Sequence, residues 1–234
     1  EFEFSEVMQR VQAVVQQVAP HDSIERYTEL GVNVLEGEAK IISPWQVEVK
    51  IAEGVQVIST RSIVVAAGAR PFVPPIPGLD KVGYFTSDTI WDLREAPKRL
   101  LVLGGGPIGC ELTQSFSRLG IQVIQVEMAS RLLIREDTEV SEAVLAKFIH
   151  EGIDVRLEHT AKSFVLENNE KILLAEYQGQ EVRIAFDSLL LAIGRVANTT
   201  GYGLEELGVK LSERKTVQIN DFQETNFPNI YACG

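Results

Sequence analysis

Leu101-Val102-Leu103-Gly104-Gly105-Gly106-Pro107-Ile108-Gly109 is the stretch that decides the fold. An apolar run as long as a buried strand ends in glycines, and a helical pattern begins at once. Gly104, Gly106 and Gly109 fit the spacing G-x-G-x-x-G. The first glycine permits a tight turn off the strand, the second leaves room for a pyrophosphate beside the backbone, and the third lets the helix pack closely on the strand. The helix start then offers free N–H groups and a partial positive charge to phosphates. Pro107 suits the first helical turn, where its missing N–H costs nothing. The spacing predicts a helix over 107–119, with Ile108, Leu112, Ser115, Phe116 and Leu119 facing inward. A lone glycine pattern says little. Placed between a strand and an amphipathic helix, it points to a dinucleotide-binding loop.

Working outward, strands are expected at 100–103, 121–126 and 155–157, with a helix over 138–151 between the last two. Val140, Val144, Leu145, Phe148 and Ile149 form its apolar face. Three short alternating runs, 164–166, 172–177 and 181–186, read as an antiparallel insertion before a buried strand at 189–193. Strand–helix–strand–helix–strand implies an α/β fold, a Rossmann-like, doubly wound parallel sheet carrying an antiparallel meander. Glu127 ends the second strand. A carboxylate there accepts hydrogen bonds from adenosine ribose hydroxyls and repels a 2′-phosphate, favouring NAD(H) over NADP(H). Arg131 and Arg135 follow, and keep a 2′-phosphate open as an alternative; Glu127 as an ordinary surface acid is the other. Glu111, one turn into the helix, reads either as an acid favoured near a helix start or as a side chain facing the nicotinamide.

Before this region, Phe4, Val7, Met8, Val11, Val14, Val15 and Val18 recur at helical spacing, with Ser5 as the expected N-cap and Pro20 beyond the end. Strands are expected at 32–37, 46–51, 55–58 and 62–65, forming a small antiparallel meander that ends in a buried strand. Residues 70–78 hold Pro71, Pro74, Pro75 and Pro77, which excludes a helix or central strand and marks an extended connector. After 197 the sequence is loop-rich, with a strand expected at 217–220. The apolar run ending at Gly234 reads as a boundary inside a longer protein.

Composition narrows the function classes. The chain has 234 residues, 45% hydrophobic and 24% charged, enough for a substantial core. A net charge of −11 argues against nucleic-acid binding, which needs clustered Lys and Arg. No apolar stretch approaches the roughly 18–20 residues of a membrane span, and the start lacks the pattern of a signal peptide. Cys110 and Cys233 fit no disulfide framework or metal set, nor do His21, His150 and His159. The expectation is a cytoplasmic protein without a metal site.

Two further segments end strands in small residues or Gly-Arg: Val65-Ala66-Ala67-Gly68-Ala69-Arg70-Pro71 and Leu191-Ala192-Ile193-Gly194-Arg195-Val196-Ala197-Asn198-Thr199. With the glycine loop, and with Asn229-Ile230-Tyr231-Ala232-Cys233-Gly234, their order and spacing resemble the class I pyridine nucleotide–disulfide oxidoreductases, the group of dihydrolipoamide dehydrogenase, glutathione reductase and mercuric reductase. The resemblance covers the whole chain. Arg135-Glu136-Asp137 and residues 153–160 make it most similar to the mercuric reductase-like members. Ala67 stands where the family usually has Thr.

The resemblance implies that Gly104, Gly105, Gly106, Pro107, Ile108, Gly109, Glu111, Glu127 and Gly194 contact NAD. Ala39, Ala66, Ala67, Gly68 and Arg195 match FAD-side positions. It also implies an internal part of a longer, homodimeric FAD enzyme. The family's first FAD fingerprint and Cys-x4-Cys pair would precede the chain, and the flavin-binding Asp and the dimerisation domain would follow it. No catalytic residue is then expected within it. The implied domains are 1–85, part of an FAD-binding domain; 86–196, the NAD(P)-binding domain; and 197–234, a return into the FAD-binding domain. The implied activity is hydride delivery from NADH to FAD for reduction of a disulfide or metal ion. The alternatives are a flavoprotein without a redox disulfide, such as an NADH oxidase or ferredoxin reductase-like enzyme, and a non-enzymatic nucleotide-binding module.

Overall fold

A computed structural model describes residues 2–234. Helix α1 (Phe4–Val18) opens on the Glu3 carbonyl, which accepts from the amides of Glu6 and Val7. Ser5, expected as the N-cap, therefore lies inside the first turn. Helix α2 (Ile24–Glu29) does have a serine cap: Ser23 Oγ accepts from the Arg26 amide at 3.2 Å, satisfying a donor the helix leaves unpaired. The strand expected at 32–37 is not formed. Pairing begins at Glu38, opposite Lys50, so the preceding alternation has no strand to bond with. Strands β1 (Glu38–Ser43), β2 (Gln46–Ile51) and β3 (Gly54–Ser59) make the antiparallel meander. Strand β4 (Ile63–Val65) leaves it and pairs in parallel with Ile230–Ala232.

The chain continues through β5 (Ala69–Pro71), α3 (Leu79–Val82), β6 (Phe85–Thr86) and β7 (Arg99–Leu103) into α4 (Pro107–Arg118), β8 (Gln122–Val126), α5 (Thr138–His150) and β9 (Asp154–Arg156). The antiparallel insertion is β10 (Thr160–Glu167), β11 (Glu170–Tyr177) and β12 (Gln180–Phe186). Strand β13 (Ser188–Leu191) returns to the sheet. After β14 (Arg195–Ala197) and α6 (Leu204–Leu207), the last strand is β15 (Ile230–Ala232). The strand expected at 217–220 reduces to one bridge, Leu211 to Val217.

Two compact units result: one comprises residues up to Gln16 and Pro71–Gly194, the other Gln17–Arg70 and Arg195–Gly234. The sequence reading put its boundaries at 85/86 and 196/197 instead. In the first unit, β6-β13-β7-β8-β9 form a parallel sheet. The α/β fold with a parallel sheet and antiparallel meander stands as expected. One sheet face, with Leu101, Leu103, Ile124, Val126, Leu189 and Leu191, packs on Phe164, Leu173, Ile184 and Phe186 of the meander. The other face, with Leu100, Val102, Val123 and Leu190, packs on Leu112 and Phe116 of α4 and Met8 of α1. Strands buried on both faces must be apolar throughout, which explains why β7 and β13 do not alternate. Only the first half of α1 packs; Val14 and Val15 stay exposed. The second unit has its own core of Ile41, Ile63, Val65, Leu204, Val209 and Ile230. Among the described residues no helix is long and apolar enough to cross a membrane.

Candidate functional site

The glycine loop sits at the C-terminal end of β7, and its backbone groups can be followed one by one. The Gly104 N–H donates to the Val126 carbonyl at 2.8 Å. The Gly104 carbonyl accepts from Gln125 Nε2 at 2.9 Å. The Gly105 N–H donates to Glu127 Oε2 at 2.5 Å, and the Gly105 carbonyl accepts from the Leu133 amide at 2.7 Å. The Gly106 carbonyl accepts from the Cys110 amide at 2.9 Å, starting α4. Gly106, Ile108 and Gly109 then bring their amides to the first helical turn, where an α-helix offers no acceptor. Gly104 adopts φ +120°, which side-chain-bearing residues avoid. A Cβ on Gly109 would collide with the Gly104 carbonyl, whereas one on Gly106 would meet nothing within 4 Å. The loop is fixed where it meets the sheet and open at Gly106, as a phosphate cradle must be.

Glu127 is half-buried, and both its oxygens are engaged: Oε2 by Gly105 and Oε1 by the Ala129 amide at 2.7 Å. It joins the loop after β7 to the turn after β8. Charge-assisted bonds of this kind contribute about 1.5–3 kcal/mol each. Of the two arginines considered for a 2′-phosphate, Arg131 is committed to the backbone. Its Nη1 donates to the Glu136 carbonyl and Ser141 Oγ, both at 2.8 Å, and its Nη2 to the Ile134 carbonyl at 3.0 Å. Arg135 is exposed.

Glu111 is exposed on the α5 side of α4, beside a groove of about 640 Å³ that Pro107, Leu133, Val140 and Val144 also line. Ser115, expected to face inward, is exposed and donates to the Glu111 carbonyl at 2.7 Å. The inward positions of α4 are Gly109, Cys110, Leu112, Thr113 and Phe116. Burial pushes the Cys110 thiol up to about 11, so it stays protonated near neutrality and has little nucleophilic character.

At the far end of the helix pair, Glu151 receives Arg118 Nη2 at 2.7 Å, Lys147 Nζ at 3.1 Å and Gln114 Nε2 at 3.1 Å. The Arg118 hydrogen bond is the main cause that holds its carboxyl down at about 2, from an ordinary 4.5. A depressed carboxylate stabilises the fold above its unfolded pKa, and that contribution disappears as pH falls through the folded value. Glu151→Gln is therefore expected to lower the melting temperature at pH 6, with the difference from wild type closing between pH 4.5 and 2. A pH-independent difference in a denaturation series would refute this. The effect is modest, because the cluster is at the surface.

In the second unit, Ala66, Ala67 and Gly68 lie exposed after β4, as does Ala39 on β1. Asn198 organises this segment: its Nδ2 donates to the Ala67 carbonyl at 3.0 Å, its amide to the Gly68 carbonyl at 3.0 Å, and its Oδ1 accepts from Arg70 Nη1 at 2.7 Å. Arg195 Nη2 donates to the Ala69 carbonyl at 2.6 Å. Sequence reasoning placed Asn198 in a motif without giving it a task. It also passed over Gln125, although a glutamine between two apolar strand residues signals a required hydrogen bond.

Comparison with known proteins agrees with this architecture. The pyridine nucleotide-disulphide oxidoreductase family matches residues 3–234. A mercuric reductase of Staphylococcus aureus is 32% identical over 232 residues, covering 99% of this chain and 42% of its own length. A dihydrolipoyl dehydrogenase of Chlamydia pneumoniae is 33% identical, covering 87% of this chain and 43% of its own. The chain thus spans about two-fifths of these relatives. A solved structure, the Cu(II) complex of an HOCl-induced flavoprotein disulfide reductase mutant from Escherichia coli, superposes with a TM-score of 0.90 at 29% identity, covering 100% of this chain and 52% of that one. With the sheet, the meander and the glycine loop all in the expected places, the chain belongs to the pyridine nucleotide-disulphide oxidoreductase family.

Proposed function

We propose that the first unit binds a nicotinamide dinucleotide, NAD(H) in preference to NADP(H), for an FAD-dependent oxidoreductase. In this reading hydride passes from NADH to FAD and electrons go on to a disulfide or metal ion. The glycine loop carries the reading: its sheet side is fully hydrogen-bonded, while Gly106 faces open space at the start of α4. Gly104, Gly105 and Gly109 shape the loop. The amides of Gly106, Ile108 and Gly109, with Pro107 at the first turn, would hold the pyrophosphate. Glu127 would receive the adenosine ribose, and Glu111 and Gly194 would lie along the nicotinamide half. The commitment of Arg131 to backbone carbonyls supports NAD(H), since it leaves that guanidinium fewer donors for a 2′-phosphate. Ala39, Ala66, Ala67, Gly68 and Arg195 would belong to the FAD side, where the exposed small residues fit close approach of a flat cofactor. When bound, the two cofactors supply the hydride chemistry, and the protein supplies binding and orientation. Dimerisation of the complete enzyme and a cytoplasmic location complete the reading.

Titration calorimetry with NADH and NADPH tests it, together with Glu127→Arg. Glu127 anchors the Gly105 amide as well as offering itself to a ribose. The variant should therefore lose about tenfold or more in NADH affinity, about 1.4 kcal/mol, and lose less for NADPH. An unchanged NADH to NADPH ratio would remove Glu127 from cofactor selection.

A further inference from the structure

One peptide unit of the loop is held at both ends, by β8 and by the turn that follows it. The carbonyl of Gly104 accepts from Gln125 Nε2 at 2.9 Å, and the N–H of Gly105 donates to Glu127 Oε2 at 2.5 Å. Gln125 lies on β8 and Glu127 just beyond its end, and both side chains reach the loop. We propose that Gln125 is a positioning residue for the nucleotide: by fixing the plane of the Gly104–Gly105 peptide, it aims the Gly106 amide and the start of α4 at the pyrophosphate. This rests on the nucleotide-binding reading above.

Gln125 is wholly buried, with 0% of its surface exposed, next to the apolar Val123, Ile124 and Val126 of its strand, whose other glutamine, Gln122, is exposed. An amide in such a place is costly unless it bonds. Its orientation follows from chemistry, since a carbonyl accepts and only the NH2 group can face it. The other end of the amide does not repay its burial: among the described residues Gln125 Oε1 has no hydrogen-bond partner. A residue kept only for packing would be better as a hydrocarbon of the same shape. Nε2 also donates to Cys110 Sγ at 3.7 Å, a weak acceptor, so the larger gain from this glutamine falls on Gly104. The Gly104 carbonyl also lies where Gly109 passes closest to it, so a rotation of that peptide would push against the first turn of α4.

Gln125→Met keeps the length and apolar stem but removes both the donor and the orphaned oxygen. In the 234-residue chain, NADH affinity should fall by about tenfold or more, while the melting temperature changes little, because the donor lost to the Gly104 carbonyl is offset by removal of the orphaned oxygen. Faster amide hydrogen exchange at Gly105 should accompany the loss. Gln125→Val, which suits a buried strand, should behave alike. Wild-type NADH affinity in a folded Gln125→Met protein overturns the proposal. So does unfolding of both variants, which makes Gln125 a requirement of the sheet. Failure of the wild-type chain to bind NADH removes the nucleotide reading and this proposal together. Binding that is equal in wild type and variants removes this proposal alone.

Discussion

Gly106→Val is expected to cost more than about a hundredfold in NADH affinity, about 3 kcal/mol at 1.4 kcal/mol per tenfold, while leaving the fold intact. Gly106 has φ −77° and ψ −179°, extended backbone that valine adopts readily. A Cβ there meets no atom within 4 Å, so the protein itself raises no objection to a side chain. In the proposed nucleotide reading the phosphates would reach the amides of the first turn through this open space, and two methyl groups would fill it. The melting temperature should fall by only a few degrees, because valine is a poor N-cap by about 1 kcal/mol. Calorimetric titration and a thermal melt on the same sample decide the matter. Retained NADH affinity in the folded variant would dismiss Gly106 as a phosphate contact.

Gly109→Ala should do the opposite, damaging the fold first. Three residues further along the same motif, a Cβ would enter the Gly104 carbonyl and crowd Gln125 Nε2 at 3.3 Å. Glycine inside a helix is ordinarily a weakness, and alanine improves it by about 1 kcal/mol. Here the obstacle is backbone, which cannot swing aside, so α4 must lift from β7. Overpacking of this kind costs about 1–3 kcal/mol net, or about 2–4 °C of melting temperature per kcal/mol for a chain of this size. The sign is the test. A higher melting temperature for Gly109→Ala would mean that helix and strand are not in close contact.

The opposite behaviour of two glycines three positions apart shows what a motif conveys. Sequence spacing marked both as necessary and gave a general reason for each. Whether Gly106 borders open space and Gly109 borders a carbonyl depends on where α4 crosses β7, which the packing of Leu112 and Phe116 on Leu100 and Val102 decides. The order of strands and helices from Arg99 to Leu191 was legible because its helices and main strands are strongly patterned and bounded by turn residues. The expectations at 32–37 and 217–220 failed because a strand exists only with a partner, and no short-range pattern states which partner is available.

The functional residues divide in the same way. Glu127 was found from its distance along the chain, as a carboxylate at the end of the second strand. Its bond to Gly105 N–H joins positions 22 residues apart in sequence, and with it Glu127 becomes part of the loop as well as a candidate ribose contact. Arg131 and Arg135 looked equivalent as cations for a phosphate. Three bonds from Arg131 to Ile134, Glu136 and Ser141 separate them, since they hold its guanidinium in place and leave two of its five N–H donors.

By itself, then, the sequence determined the parallel sheet, the meander and the position of the glycine loop. These depend on periodicity and on glycine spacing, which are properties of neighbours along the chain. Only the tertiary structure decided what holds the loop in shape. Gln125, Glu127 and Leu133 reach it from other elements, and a hydrogen bond between distant residues leaves no period in the sequence to read.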